Sequence, residues 1–160
     1  MVSKMRIGGI VALGLLILGV YFPWGELSKA NAHCQIPCGI YDDDCVIKTL
    51  YVDIQTIEKS MKQIELLSKN PMKNQNQLIR WVLNKEKHAD KFCEVIVEYF
   101  MQQRIKIPAG KADDKYQQKL MLCHKMLVTA MKCKQTTDTE QPHALKHQLE
   151  DFVKLYKQKK

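Results

Sequence analysis

Apolar residues recur along this chain at the period of an α-helix, in four separate stretches. Over residues 43–69, Leu50, Ile54, Ile57, Met61 and Ile64 follow one another at intervals of 4, 3, 4 and 3. That spacing draws one stripe along one helical face. Asp42, Asp43 and Asp44 stand where acidic groups favour a helix N-terminus, and Asn70-Pro71 ends the stretch. A second helix is predicted over 74–103, with Leu78, Val82, Ala89, Phe92, Ile96 and Tyr99 inward and Lys85-Glu86-Lys87 on a solvated face. Pro108-Ala109-Gly110 is the next break. A third helix is predicted over 112–134, with Tyr116, Leu120, Cys123, Leu127 and Ala130 inward. The fourth begins near Pro142, a favoured first-turn residue, and runs through Leu145, Leu149, Phe152 and Tyr156. No stretch alternates with the period of a strand. The expected fold is all-α, an antiparallel up-down four-helix bundle over 42–160.

The first 32 residues follow a different pattern. Lys4 and Arg6 precede an uncharged, mainly apolar run over 7–22, and 23–32 ends in Ala30-Asn31-Ala32. A run of about 16 residues falls short of the roughly 20 that cross a bilayer. The Ala-x-Ala ending is what signal peptidases cut after. Residues 1–32 therefore read as a signal peptide, with no stable membrane insertion after cleavage and the mature chain periplasmic or secreted. There is no twin arginine, so export unfolded is the simpler route. The alternative is a hydrophobic pro-sequence removed by a dedicated maturation protease, leaving the protein cytoplasmic.

Cleavage after Ala32 would make His33 the new N-terminal residue, and this changes the chemistry available. The segment His33-Cys34-Gln35-Ile36-Pro37-Cys38-Gly39-Ile40-Tyr41 then offers an α-amine, an imidazole, the main-chain nitrogen of Cys34, and the thiols of Cys34 and Cys38. Two nitrogens and two sulfurs in a plane suit a metal that prefers tetragonal coordination, Ni(II) or Cu(II). Thiolate and deprotonated amide are strong donors that stabilise a higher oxidation state, and the imidazole is free to bind axially. Pro37 and Gly39 let the chain turn back so that both cysteines reach one metal. Spacing alone equally permits a small Cys34–Cys38 disulfide in an exported protein.

The motif H-C-x-x-P-C-G-x-Y at a processed N-terminus closely resembles the nickel hook of nickel-containing superoxide dismutases. The resemblance continues through Thr56-Ile57-Glu58-Lys59-Ser60-Met61, Arg80-Trp81-Val82, Lys85-Glu86-Lys87-His88-Ala89-Asp90 and Ala130-Met131-Lys132, and covers essentially all of 33–160. It implies a hook over 33–41 ahead of the bundle, with His33, Cys34 and Cys38 as ligands of one nickel ion per subunit. It also implies a homohexamer, superoxide anion as substrate, and disproportionation to dioxygen and hydrogen peroxide by Ni(III)/Ni(II) cycling. Tyr41, at the end of the hook, would border the nickel and gate small anions. The competing class is an exported, non-enzymatic helical-bundle binding protein with a Cys34–Cys38 disulfide. A nickel or copper chaperone using the same hook is a third.

One departure from the family pattern concerns the support of the axial imidazole. The family places an acidic residue early in the first helix and a basic residue on a later one. Here the early positions read Cys45-Val46-Ile47-Lys48-Thr49, without an acid. Asp42, Asp43, Asp44 or Asp53 are open as substitutes, and Arg80 or Lys85 as the base.

The chain has 25 Lys and Arg against 17 Asp and Glu, a formal net charge of +8, of which residues 1–32 carry +2. The remaining excess is compatible with drawing in an anion. No basic cluster is interleaved with aromatics, which argues against nucleic acid. His143 and His147, one helical turn apart, would suit zinc only with a third ligand, and otherwise read as surface histidines, as do His88 and His124. Among Cys45, Cys93, Cys123 and Cys133, matching distances either side of Pro108 place Cys93 and Cys123 at similar heights in the bundle.

Overall fold

The structure is a computed structural model that describes residues 42–158. Helix α1, Asp43–Leu67, is capped by Asp42, whose carboxylate accepts from the main-chain N–H of Asp44 at 3.0 Å. It ends at Ser68, ahead of the predicted stop. Pro71 does not end α1 but opens α2, Pro71–Glu94, where its missing N–H costs nothing. Helix α3 is Asp114–Gln135, with the side chain of its cap, Asp113, accepting from the N–H of Tyr116 at 2.7 Å. Helix α4 is Glu140–Lys157.

Helix α2 passes without a break into a π-helical segment, Val95–Arg104. The wider turn closes at its end with the N–H of Ile105 bonded to the carbonyl of Phe100, five residues back, at 2.8 Å. It carries Phe100 fully into the core and leaves Tyr99, predicted inward, half-buried.

Each helix packs on its sequence neighbours and α4 returns to α1, which is the up-down bundle the periodicity predicts. Among the described residues there is no strand. Leu50, Ile54, Ile57, Met61 and Ile64 are all buried, as are Ala89, Phe92, Ile96, Cys123, Ala130, Leu145, Leu149 and Phe152. Each large apolar side chain buried in this way contributes about 1.5–3 kcal/mol.

The second stripe needs correction. Val82 is 40% exposed and Lys85 is buried at 4%. The inward row runs through half-buried Leu78 and Trp81 and then Lys85, so a spacing of 3 followed by 4, rather than 4 followed by 3, continues the face. Lys85 is thus not part of a solvated face. Its ammonium donates to the carbonyls of Cys133 at 3.0 Å, Lys134, and Thr136 at 3.2 Å. Those are carbonyls at the C-terminus of α3, which the helix itself cannot satisfy. Lys134 makes the neighbouring tie with Asp90 at 2.7 Å. Together they lock α3 to α2.

One end of the bundle is aromatic. Phe100 meets Phe152 edge-to-face at 5.0 Å, Tyr156 at 5.4 Å and Tyr99 at 5.1 Å. This is the end at which α1 begins.

Candidate functional site

His33, Cys34, Cys38 and Tyr41 lie outside the described residues, as do residues 1–32. Asp42 and Asp43 follow Tyr41 in the sequence, so the start of α1 is the part of the described structure next in the chain to the segment 33–41. Three acids stand there and each is used differently. Asp42 caps the helix. Asp44 takes Lys157 at 2.5 Å.

Asp43 is the centre of a cluster. Its Oδ1 accepts from the Tyr99 hydroxyl at 2.5 Å and lies 3.0 Å from Nε of Arg104, while Oδ2 accepts from the Tyr156 hydroxyl at 2.8 Å. The Arg104 guanidinium also donates to the Tyr99 oxygen at 2.7 Å and lies 4.8 Å from the centre of the Tyr99 ring. Partial burial opposes ionisation of Asp43, but the bonds from Tyr99 and Tyr156 and the charge of Arg104 outweigh it, so its pKa falls below the ordinary aspartate value. Burial raises the Tyr156 and Tyr99 pKa values, and the bonds to Asp43 raise them further. Both hydroxyls therefore stay protonated as donors at neutral pH.

A second polar pair lies farther along α1. Nδ1 of His88 is 2.6 Å from Oδ1 of Asp53, with the two side chains 19% and 9% exposed. They line an open cleft of about 450 Å³ between α1 and α2, together with Lys48, Thr49, Lys91 and Glu94. Asp53 begins ten residues after Asp43, or about 15 Å along the helix.

Of the groups open as supports for the axial imidazole, Lys85 is committed to the α3 carbonyls and Asp53 to His88. Arg80 is exposed. His143 and His147 are exposed and face Glu58 at 3.8 Å and Glu150 at 3.3 Å. Among the described residues no three His, Cys, Asp or Glu side chains form a metal site. Cys45, Cys93, Cys123 and Cys133 are free thiols, so no disulfide joins Cys93 to Cys123. No helix of the described residues is long and apolar enough to cross a membrane.

Sequence reasoning missed Tyr99, Arg104 and Tyr156 as partners of Asp43. Tyr99 and Arg104 come together across a π-turn, for which the sequence carries no clear signal. Tyr156 lies 113 residues from its acceptor.

Comparison with curated proteins and with solved structures found no match. The family model for nickel-containing superoxide dismutase matches residues 28–160. That match runs through the H-C-x-x-P-C-G-x-Y motif and on through all four helices. The chain belongs to the nickel-containing superoxide dismutase family, nickel-dependent oxidoreductases that act on superoxide.

Proposed function

We propose that the mature chain begins at His33 and holds one nickel ion through five donor atoms of its first six residues. These are the α-amine and imidazole of His33, the main-chain nitrogen and thiolate of Cys34, and the thiolate of Cys38. The observation that carries this reading is a coincidence at one place. An Ala-x-Ala site, a segment with the donors of a tetragonal site and a family match that includes both fall together.

The donor set fits nickel. When bound, nickel supplies a one-electron Ni(III)/Ni(II) couple, by which one superoxide is oxidised to dioxygen and a second, with two protons, is reduced to hydrogen peroxide. The rest falls to the chain. The thiolates of Cys34 and Cys38 and the Cys34 amide nitrogen would lower the potential of that couple by donating charge. The His33 imidazole would supply a further nitrogen donor. Tyr41 borders the approach of small anions, and the basic surface raises their arrival rate. Hydrogen peroxide oxidises free thiolates, so Cys34 and Cys38 must be coordinated while the enzyme turns over.

Removal of residues 1–32, with the mature chain periplasmic or secreted, and assembly as a homohexamer belong to the same proposal. Replacing one ligand tests it. Cys38→Ser is expected to abolish nickel-dependent dismutation while the helical circular dichroism is retained. Appreciable nickel-dependent activity in that variant would contradict the ligand assignment.

A further inference from the structure

We infer that Asp43 is a positioning residue for the nickel hook. By accepting from Tyr99 and Tyr156 and pairing with Arg104, it fixes where the chain leaves the bundle on its way to Cys38. The inference rests on the nickel reading of residues 33–41.

Three observations support it. First, the cluster is built at one place from parts far apart in the chain. Asp43 opens α1, Tyr99 and Arg104 come from the π-helical segment and Tyr156 from the last turn of α4. The cap of α1 is supplied by Asp42, so the Asp43 carboxylate is not needed there. Second, the cluster stands on a stiff base. Tyr99, Phe100, Phe152 and Tyr156 are packed edge-to-face or stacked with centres 5.0–5.5 Å apart, and Lys157–Asp44 ties the same two helix ends again. Third, the charged pair is poorly placed to contribute stability. The Asp43 and Arg104 side chains are 36% and 29% exposed, where ion pairs are weak. What converging directional bonds do supply is one defined geometry.

That geometry is close enough to matter. Cys38 is five positions before Asp43, and an extended chain spans at most about 3.6 Å per residue, or about 18 Å. A ligand on so short a tether stays within that reach of its anchor, and residues that position the ligands of a metal site typically alter affinity by about 10- to 100-fold.

The test uses mature protein loaded with nickel, compared as wild type, Asp43→Asn and Tyr156→Phe. Tyr156→Phe removes a single hydroxyl and carries the test if Asp43→Asn does not fold. Two readouts that simple destabilisation would not move are taken below the melting transition. One is the electron paramagnetic resonance spectrum of the oxidised metal, where an axial imidazole nitrogen splits the signal. The other is the rate of nickel release to a chelator. The expected result is a heterogeneous spectrum with weakened nitrogen splitting and release at least about tenfold faster. Variants with the spectrum and release rate of wild type would overturn the inference while leaving the nickel reading intact. Wild-type protein that shows no axial nitrogen signal would defeat the nickel reading itself, and the inference with it.

Discussion

Tyr156, the penultimate residue of α4, donates its hydroxyl hydrogen to Oδ2 of Asp43, the first residue of α1, across 2.8 Å. The bond joins the last helix to the first at the point where α1 begins. It also gives one carboxylate a share in the acid stability of the protein. The Asp43 pKa is lowered in the folded state, so its contribution is present above the unfolded value of 3.8 and is lost as pH falls through the folded one. Asp43→Asn is expected to cost at most about 1 kcal/mol at pH 7, since the cluster is exposed to water. The difference from wild type should narrow as the pH falls below 3.8 and Asp43 takes up a proton. Urea unfolding of both proteins on either side of that value measures it, and a gap that does not narrow in acid would contradict the assignment.

Lys85 gives a sharper stability prediction. Its buried ammonium serves three carbonyls at the end of α3. Lys85→Met keeps the length and removes the donors, leaving those carbonyls short of partners, at about 2–4 kcal/mol. Lys87→Met, two positions away and exposed, should change stability by no more than about 0.5 kcal/mol. Thermal melts of the two variants side by side distinguish a buried clamp from a solvated face.

The four bundle cysteines should react in order of burial. Burial pushes the Cys123 and Cys133 thiols up to about 12, and raises Cys93 less far. The thiolate is the nucleophile, so at pH 8 alkylation followed by peptide mapping should label exposed Cys45 first. Cys93 should follow slowly, and Cys123 and Cys133 only on unfolding. Early labelling of Cys123 would mean that the core opens readily at the α3 seam.

The bundle was legible because the apolar stripes of α1, α3 and α4 kept the helical period over about four turns each. Leu50 through Ile64 predicted a buried face residue by residue, and all five are buried. The stripe of α2 failed where one inward position is charged. A hydrophobic pattern passes over Lys85, and the eye closes the gap by promoting Val82, one position off the true row. The partners of Asp43 were hidden for a different reason. Tyr99 and Tyr156 already read as ends of apolar stripes, and nothing local to either says that its hydroxyl meets a carboxylate more than fifty residues away. Asp53 and His88 were hidden likewise, since a polar pair across a helix seam leaves no periodic mark. The family was legible from the H-C-x-x-P-C-G-x-Y motif, because its residues are consecutive in the sequence, and the match over 28–160 bears that out.

The mass and metal content of the native protein, purified intact from its own source, decide the proposed chemistry. A chain that begins at His33 and carries one nickel per subunit is the result expected. It would place the α-amine, the imidazole and both thiols on a single terminus. A chain that retains residues 1–32, or begins at any other residue, would lack the amine ligand and would contradict the hook.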